Sequence, residues 1–86
     1  MDKHVVVGVH ITNRVRHAAQ VQEVLTKFGC LVKTRLGLHE AGADICSPNG
    51  LLILELLDQD SAVAQFVGAM GEIEGVEVKQ MIFDHL

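Results

Sequence analysis

The chain has no tryptophan and no tyrosine, and three phenylalanines are its whole aromatic inventory. A core built from it must be aliphatic, and the ring platforms on which single-strand and RNA readers stack bases are missing. Cations are also short: seven Lys and Arg against eleven Asp and Glu leave a net charge of −4. They are scattered among the acids, whereas phosphate neutralisation needs them clustered, so direct nucleic-acid binding is not expected. Asp2 and Lys3 open onto a short strand-like run, with no long apolar segment and no small-residue cleavage site. The expectation is a cytoplasmic chain without a membrane span. In that compartment the two cysteines, Cys30 and Cys46, are expected as free thiol or metal thiolate rather than as a disulfide. Catalytic signatures are missing as well. There is no Ser-His-Asp set, no G-x-x-x-x-G-K-[ST] loop and no H-E-x-x-H, since Ala41-Gly42-Ala43 follows His39-Glu40. No enzymatic activity is expected.

What is present specifies a fold. Eighty-six residues, 49% of them apolar, suffice for one domain, 1–86, with a modest core. The run His4 to Thr12 alternates Val5, Val7, Val9 and Ile11 with Val6, Gly8 and His10, the pattern of a central strand. After Asn13 as cap, Ala18, Val21, Leu25 and Phe28 recur at helical spacing opposite Arg16, Gln20, Glu23 and Lys27, up to Gly29. Cys30 to His39 alternates again, with Val32, Thr34, Leu36 and Leu38 on one side and Lys33, Arg35 and His39 on the other. Turn chemistry in Glu40 to Asn49 leads to a third strand with Leu52, Leu54 and Leu56 toward the core. Asp58, Asp60 and Ser61 offer caps for a second helix whose buried stripe is Val63, Phe66, Val67 and Met70, ending at Gly71. A turn through Gly75 then opens a last strand, Val76 to Phe83.

The order β-α-β-β-α-β is that of an α+β, ferredoxin-like sandwich: a four-stranded antiparallel sheet in order 4-1-3-2 with both helices on one face. The other face would carry Val6, Gly8, Ile53, Leu57 and Met81 or Phe83 among His10, Lys33, Arg35, Glu55 and Lys79. A mixed face of this kind predicts self-association, through the face or a sheet edge.

Two sets of residues invite a ligand. His39 and Cys46 are seven positions apart on the two sides of a turn, within joint reach of a divalent transition metal. Glu40 or Asp44, or His10 or His17 of this or a second subunit, would have to complete the shell, while Arg35 and Glu55 shape the face beside it. Asn13 and Arg14, at the start of the first helix, could instead receive the carboxylate or phosphate of a small effector. Read conservatively, His17 is a solvent-facing helix residue, Cys30 a small buried hydrophobe, and Gly37 a point where the second strand needs glycine's backbone freedom.

The segment Ile73-Glu74-Gly75-Val76-Glu77-Val78, entering the last strand, resembles the ACT and ACT-like regulatory domains. With the Arg35-Leu36-Gly37 turn, it makes the chain from Val5 through Phe83 resemble the small stand-alone ACT-like proteins described as iron-only hydrogenase system regulators. In ACT-like dimers effectors often lie between the first strand-to-helix loop and a neighbouring subunit. More narrowly, the chain is similar to the regulatory domain of nickel-responsive repressors. These take metal through His at the end of strand two and a Cys just before strand three, the places held here by His39 and Cys46. Gly37 stands where a second His would be expected, and no ribbon-helix-helix segment precedes His4, so square-planar nickel and direct DNA binding are not implied. Together these expectations describe a cytoplasmic, homo-oligomeric module, dimer or tetramer. It would sense an effector or metal for a protein partner in hydrogenase or iron metabolism. The alternative is a purely structural interaction domain.

Overall fold

The computed structural model of the chain describes residues 3–12, 14–39 and 50–84. Strand β1 (His4–Ile11) is followed by helix α1 (Arg14–Lys27), a 3-10 turn (Gly29–Leu31), β2 (Val32–His39), β3 (Gly50–Leu56), α2 (Asp60–Gly71) and β4 (Val76–Phe83). The sheet order is β2-β3-β1-β4, every pair antiparallel, which is the predicted 4-1-3-2 read from the other edge. This is the ferredoxin-like arrangement.

Alternation in β1 sets the two faces. Val5, Val7, Val9 and Ile11 are all buried, and their cross-strand partners Leu54 and Leu56 on β3 are buried with them. Above them sit Val21 and Leu25 of α1 and Val63, Phe66 and Met70 of α2. Phe28 and Phe66 meet edge to face at 5.6 Å and 84°, a geometry worth about 0.5–1.5 kcal/mol beyond burial.

Several local expectations give way to tertiary context. Cys30 is exposed, because residues 29–31 turn in a 3-10 geometry before the strand begins and Leu31 takes the buried place. His17 is buried, whereas Ala18 is exposed. The inward stripe of α1 therefore runs His17, Val21, Leu25, with steps of four. Asp58 does not cap α2: its Oδ2 accepts the backbone N–H of Lys3 at 2.9 Å. The Lys3 ammonium reaches Asp60 at 3.2 Å, and the first residues of β1 are thereby tied to the start of α2. The cap residue of α2 is Gln59, whose side chain makes no capping bond.

The β2–β3 pairing slips between Val32 and Thr34. Below that irregularity the parity of β2 is the reverse of simple alternation, as expected where two residues oppose one. Lys33 and Thr34 both lie beside Glu55, Arg35 pairs with the buried Leu54, and Leu36 pairs with Ile53. Arg35 is therefore on the helix side of the sheet, not on its open face. There its Nη2 donates to Gln22 Oε1 of α1 at 3.5 Å.

Glycine's freedom is needed at Gly75, not Gly37. Gly75 has φ +81°, and a Cβ there would stand 2.9 Å from His17 Nε2 and 3.2 Å from the Thr12 carbonyl oxygen. Its own carbonyl accepts the Thr12 N–H at 2.8 Å. At Gly37 a Cβ would meet Leu52 Cδ2 at an ordinary 3.5 Å. Gly75→Ala should cost upwards of about 1 kcal/mol in urea unfolding, from strain and displacement of the His17 ring, whereas Gly37→Ala should change stability by less than that. Equal costs at the two positions would contradict this assignment.

Candidate functional site

The predicted ligands fall in three places. His39 ends β2, opposite Gly50 in register, while Cys46 and the loop residues Glu40 and Asp44 lie outside the described residues. Asn13 also lies outside them, and Arg14 is the first residue of α1. Arg35 and Glu55 are on opposite faces of the sheet, so they do not share one pocket. Among the described residues, no three His, Cys, Asp or Glu side chains gather as a metal would require.

The structure does bring together a polar cluster on the open face that alternation alone did not give. His4 Nδ1 lies 2.8 Å from Glu55 Oε2, and the Lys33 ammonium reaches the same oxygen at 3.5 Å. His4 comes from β1, Glu55 from β3 and Lys33 from the irregular start of β2. The hydrogen bond from His4, and after it the charge of Lys33, hold the Glu55 carboxyl below its ordinary value against a partial opposing effect of desolvation. The sequence signal was the register that sets β1 against β3. It is invisible until both strands are paired.

Around that cluster the face is apolar. Leu36 and Met81 are each 54% exposed and Phe83 50% exposed. All three stand on the open side, through pairings of Leu36 with Ile53, Met81 with Val6 and Phe83 with His4. On the same face, Gly8 leaves a hollow of about 220 Å³ lined also by His10, Leu51, Glu77 and Lys79. A second structural junction lies at the opposite, helix-bearing side. His17 packs on the Gly75 turn directly below Thr12, where β1 leads toward α1.

The family model described as "TM1266-like: Iron-only hydrogenase system regulator, putative" matches residues 3–80, nearly the whole chain. The chain belongs to this family. Among solved structures it is similar to the uncharacterised protein TM1266 from Thermotoga maritima (TM-score 0.81, 20% identity, covering 98% of this chain and 100% of that one). It is similar also to the ACT domain of the GTP pyrophosphokinase from Chlorobium tepidum (TM-score 0.70, 13% identity, 94% and 100% covered). A third likeness is to the C-terminal domain of the MgtC protein from Mycobacterium tuberculosis (TM-score 0.62, 15% identity, 99% and 90% covered). At these identities the likeness establishes an ACT-like fold and no more. No curated protein sequence matches the chain. No helix among the described residues is long and apolar enough to cross a membrane.

The Glu55 cluster makes a prediction about acid. A carboxyl held below its ordinary value of 4.5 contributes stability that is present above that value and is lost as pH falls through the folded one. The parent should therefore lose stability more steeply below pH 4.5 than a Glu55→Gln variant does, as read by urea midpoints across the acid range. Superimposable acid limbs would contradict the pairing with His4 and Lys33.

Proposed function

We propose that this chain is a cytoplasmic regulatory module of an iron-only hydrogenase system, without chemistry of its own. It takes up a small effector or a transition metal and passes the result on by association, with copies of itself and with a protein partner. The observation that carries this reading is the conjunction of the family match over residues 3–80 with an ACT-like sheet whose helix-free face exposes Leu36, Met81 and Phe83. Such a face is built for contact, because a large exposed apolar patch costs solvation until something covers it.

The effector reading places a carboxylate or phosphate at the start of α1, with Asn13 and Arg14 as its partners. His17, one turn further on and packed against Gly75, would fix the position of that helix end. Arg35 serves the same end of the reading from the helix side of the sheet, where Gln22 holds it; Glu55 serves the open face. The metal reading uses His39 and Cys46, with the remaining ligands from the loop or from a second subunit. A purely structural interaction domain is the second reading. It is favoured by the way His4, Lys33 and Glu55 satisfy one another without a ligand.

Loss of this chain from its host should change whole-cell iron-only hydrogenase activity severalfold, with the parent restoring it and a Met81→Asp variant failing to do so. Unchanged hydrogenase activity would contradict the regulatory assignment. For the metal form of the reading, protein purified without oxygen should carry stoichiometric metal that a Cys46→Ser variant lacks, by elemental analysis. No metal in either, after zinc, nickel and ferrous iron are added back, removes that form and leaves the effector.

A further inference from the structure

We infer that the open sheet face is closed by a second copy of this chain, face to face about a two-fold axis, with an apolar side chain of each copy seated over Gly8 of the other. The inference rests on the reading of the chain as a module that works by association, and it names the occupant of the face.

Three features select a second copy over other partners. The first is charge. The ionised side chains described on this face are Lys33 and Lys79 against Glu55 and Glu77, a neutral set in which each sign can meet its opposite on an identical surface. A two-fold interface sets the same patch against itself, so a neutral, mixed face suits it. A nucleic acid or an anionic bilayer would need a surplus of cations that the face does not have.

The second is area. Four strands about 4.8 Å apart and seven or eight residues of about 3.3 Å give a face of roughly 19 by 25 Å. That is roughly 500 Å² in projection, before the relief of the side chains is counted. It approaches the roughly 600–1,000 Å² per partner of stable interfaces. Covering it converts a two-layer molecule into a helix-sheet-sheet-helix sandwich and hides the apolar surface a short chain cannot bury alone.

The third is relief. The floor of the face is low at Gly8, where a Cβ would have only ordinary contacts, 3.9 Å to Ile53 Cδ1 and to the Lys79 carbonyl oxygen. The cross-strand neighbours of Gly8 are Ile53 and Lys79, and half-exposed apolar side chains stand elsewhere on the same face, Leu36 beyond Ile53 on β2 and Met81 and Phe83 further along β4. A two-fold axis can bring such a knob of one copy over the hollow of the other.

The same property makes the inference testable without touching the core. A long side chain at Gly8 fits the isolated fold and projects into the hollow, so Gly8→Arg should fold and fail to associate. Met81→Asp places a charge on a residue that is already half exposed. Sedimentation equilibrium over a hundredfold range of concentration should find the parent at twice the 9.4 kDa chain mass or a multiple of it. Gly8→Arg and Met81→Asp should each raise the dissociation constant at least about tenfold, while the helix-side control Glu72→Arg leaves it unchanged. Circular dichroism and urea midpoints show that each variant is folded. A parent that stays monomeric throughout, or an oligomer indifferent to both open-face variants, overturns the inference. If the parent is monomeric but its loss still alters hydrogenase activity, the regulatory reading stands and only this occupant is wrong.

Discussion

The pleat of β1 governs the rest of this molecule. Because successive side chains point to opposite faces, burying Val5, Val7, Val9 and Ile11 under the helices commits Val6, Gly8 and His10 to the other side. β1 is central, paired to β3 and β4 along its whole length, so its parity is imposed on both neighbours. Leu54 and Leu56 go inward for this reason, and Ile53, Glu55, Met81 and Phe83 are left on the open face. A one-residue slip in either ladder would exchange the core for the surface, at the cost of exposing several fully buried side chains worth roughly 1.5–3 kcal/mol each.

The proposed function rests on what that parity leaves uncovered. One face of the sheet is closed by two helices whose stripes end in Met70 and Leu25; the other carries an apolar surface with a small, internally satisfied ionic cluster. What this open face displays is side chains positioned by strands, balanced in charge among the described residues, with relief. Membership of the TM1266-like family over residues 3–80 fits the proposal that this free surface is used for contact.

Much of this was legible in the sequence, and the exceptions share a cause. Strict alternation in β1 and the helical spacing of Val63, Phe66 and Met70 are local signals, strong enough to give the element order and the strand order. Alternation sets Arg35 on the open face, but the irregularity after Val32 reverses the parity of β2, and nothing in Lys33-Thr34-Arg35 announces it. It is decided by the partner strand. His17 reads as a surface residue by type. It is buried because Gly75, almost sixty residues away in sequence, offers a turn with no side chain for the ring to rest on. Cys30 reads as buried by type and is exposed because the chain turns there before the strand begins. Of the two predicted metal ligands, His39 ends β2 while Cys46 falls within the segment 40–49, outside the described residues, so the metal reading rests on spacing alone. The effector reading rests on the sequence argument in the same way: Asn13 lies outside the described residues, and Arg14 is the first residue of α1.

The central claim is that the face set by β1 is covered by its own copy in solution. It is tested most directly by an isotope-filtered nuclear Overhauser experiment on an equal mixture of methyl-labelled and unlabelled chains. The account predicts intermolecular contacts to the methyl groups of Met81, Leu36 and Ile53, and none to those of Leu54 or Val21, which are buried within one copy. Intermolecular contacts confined to helix side chains, or none under conditions where the chains are associated, would contradict it.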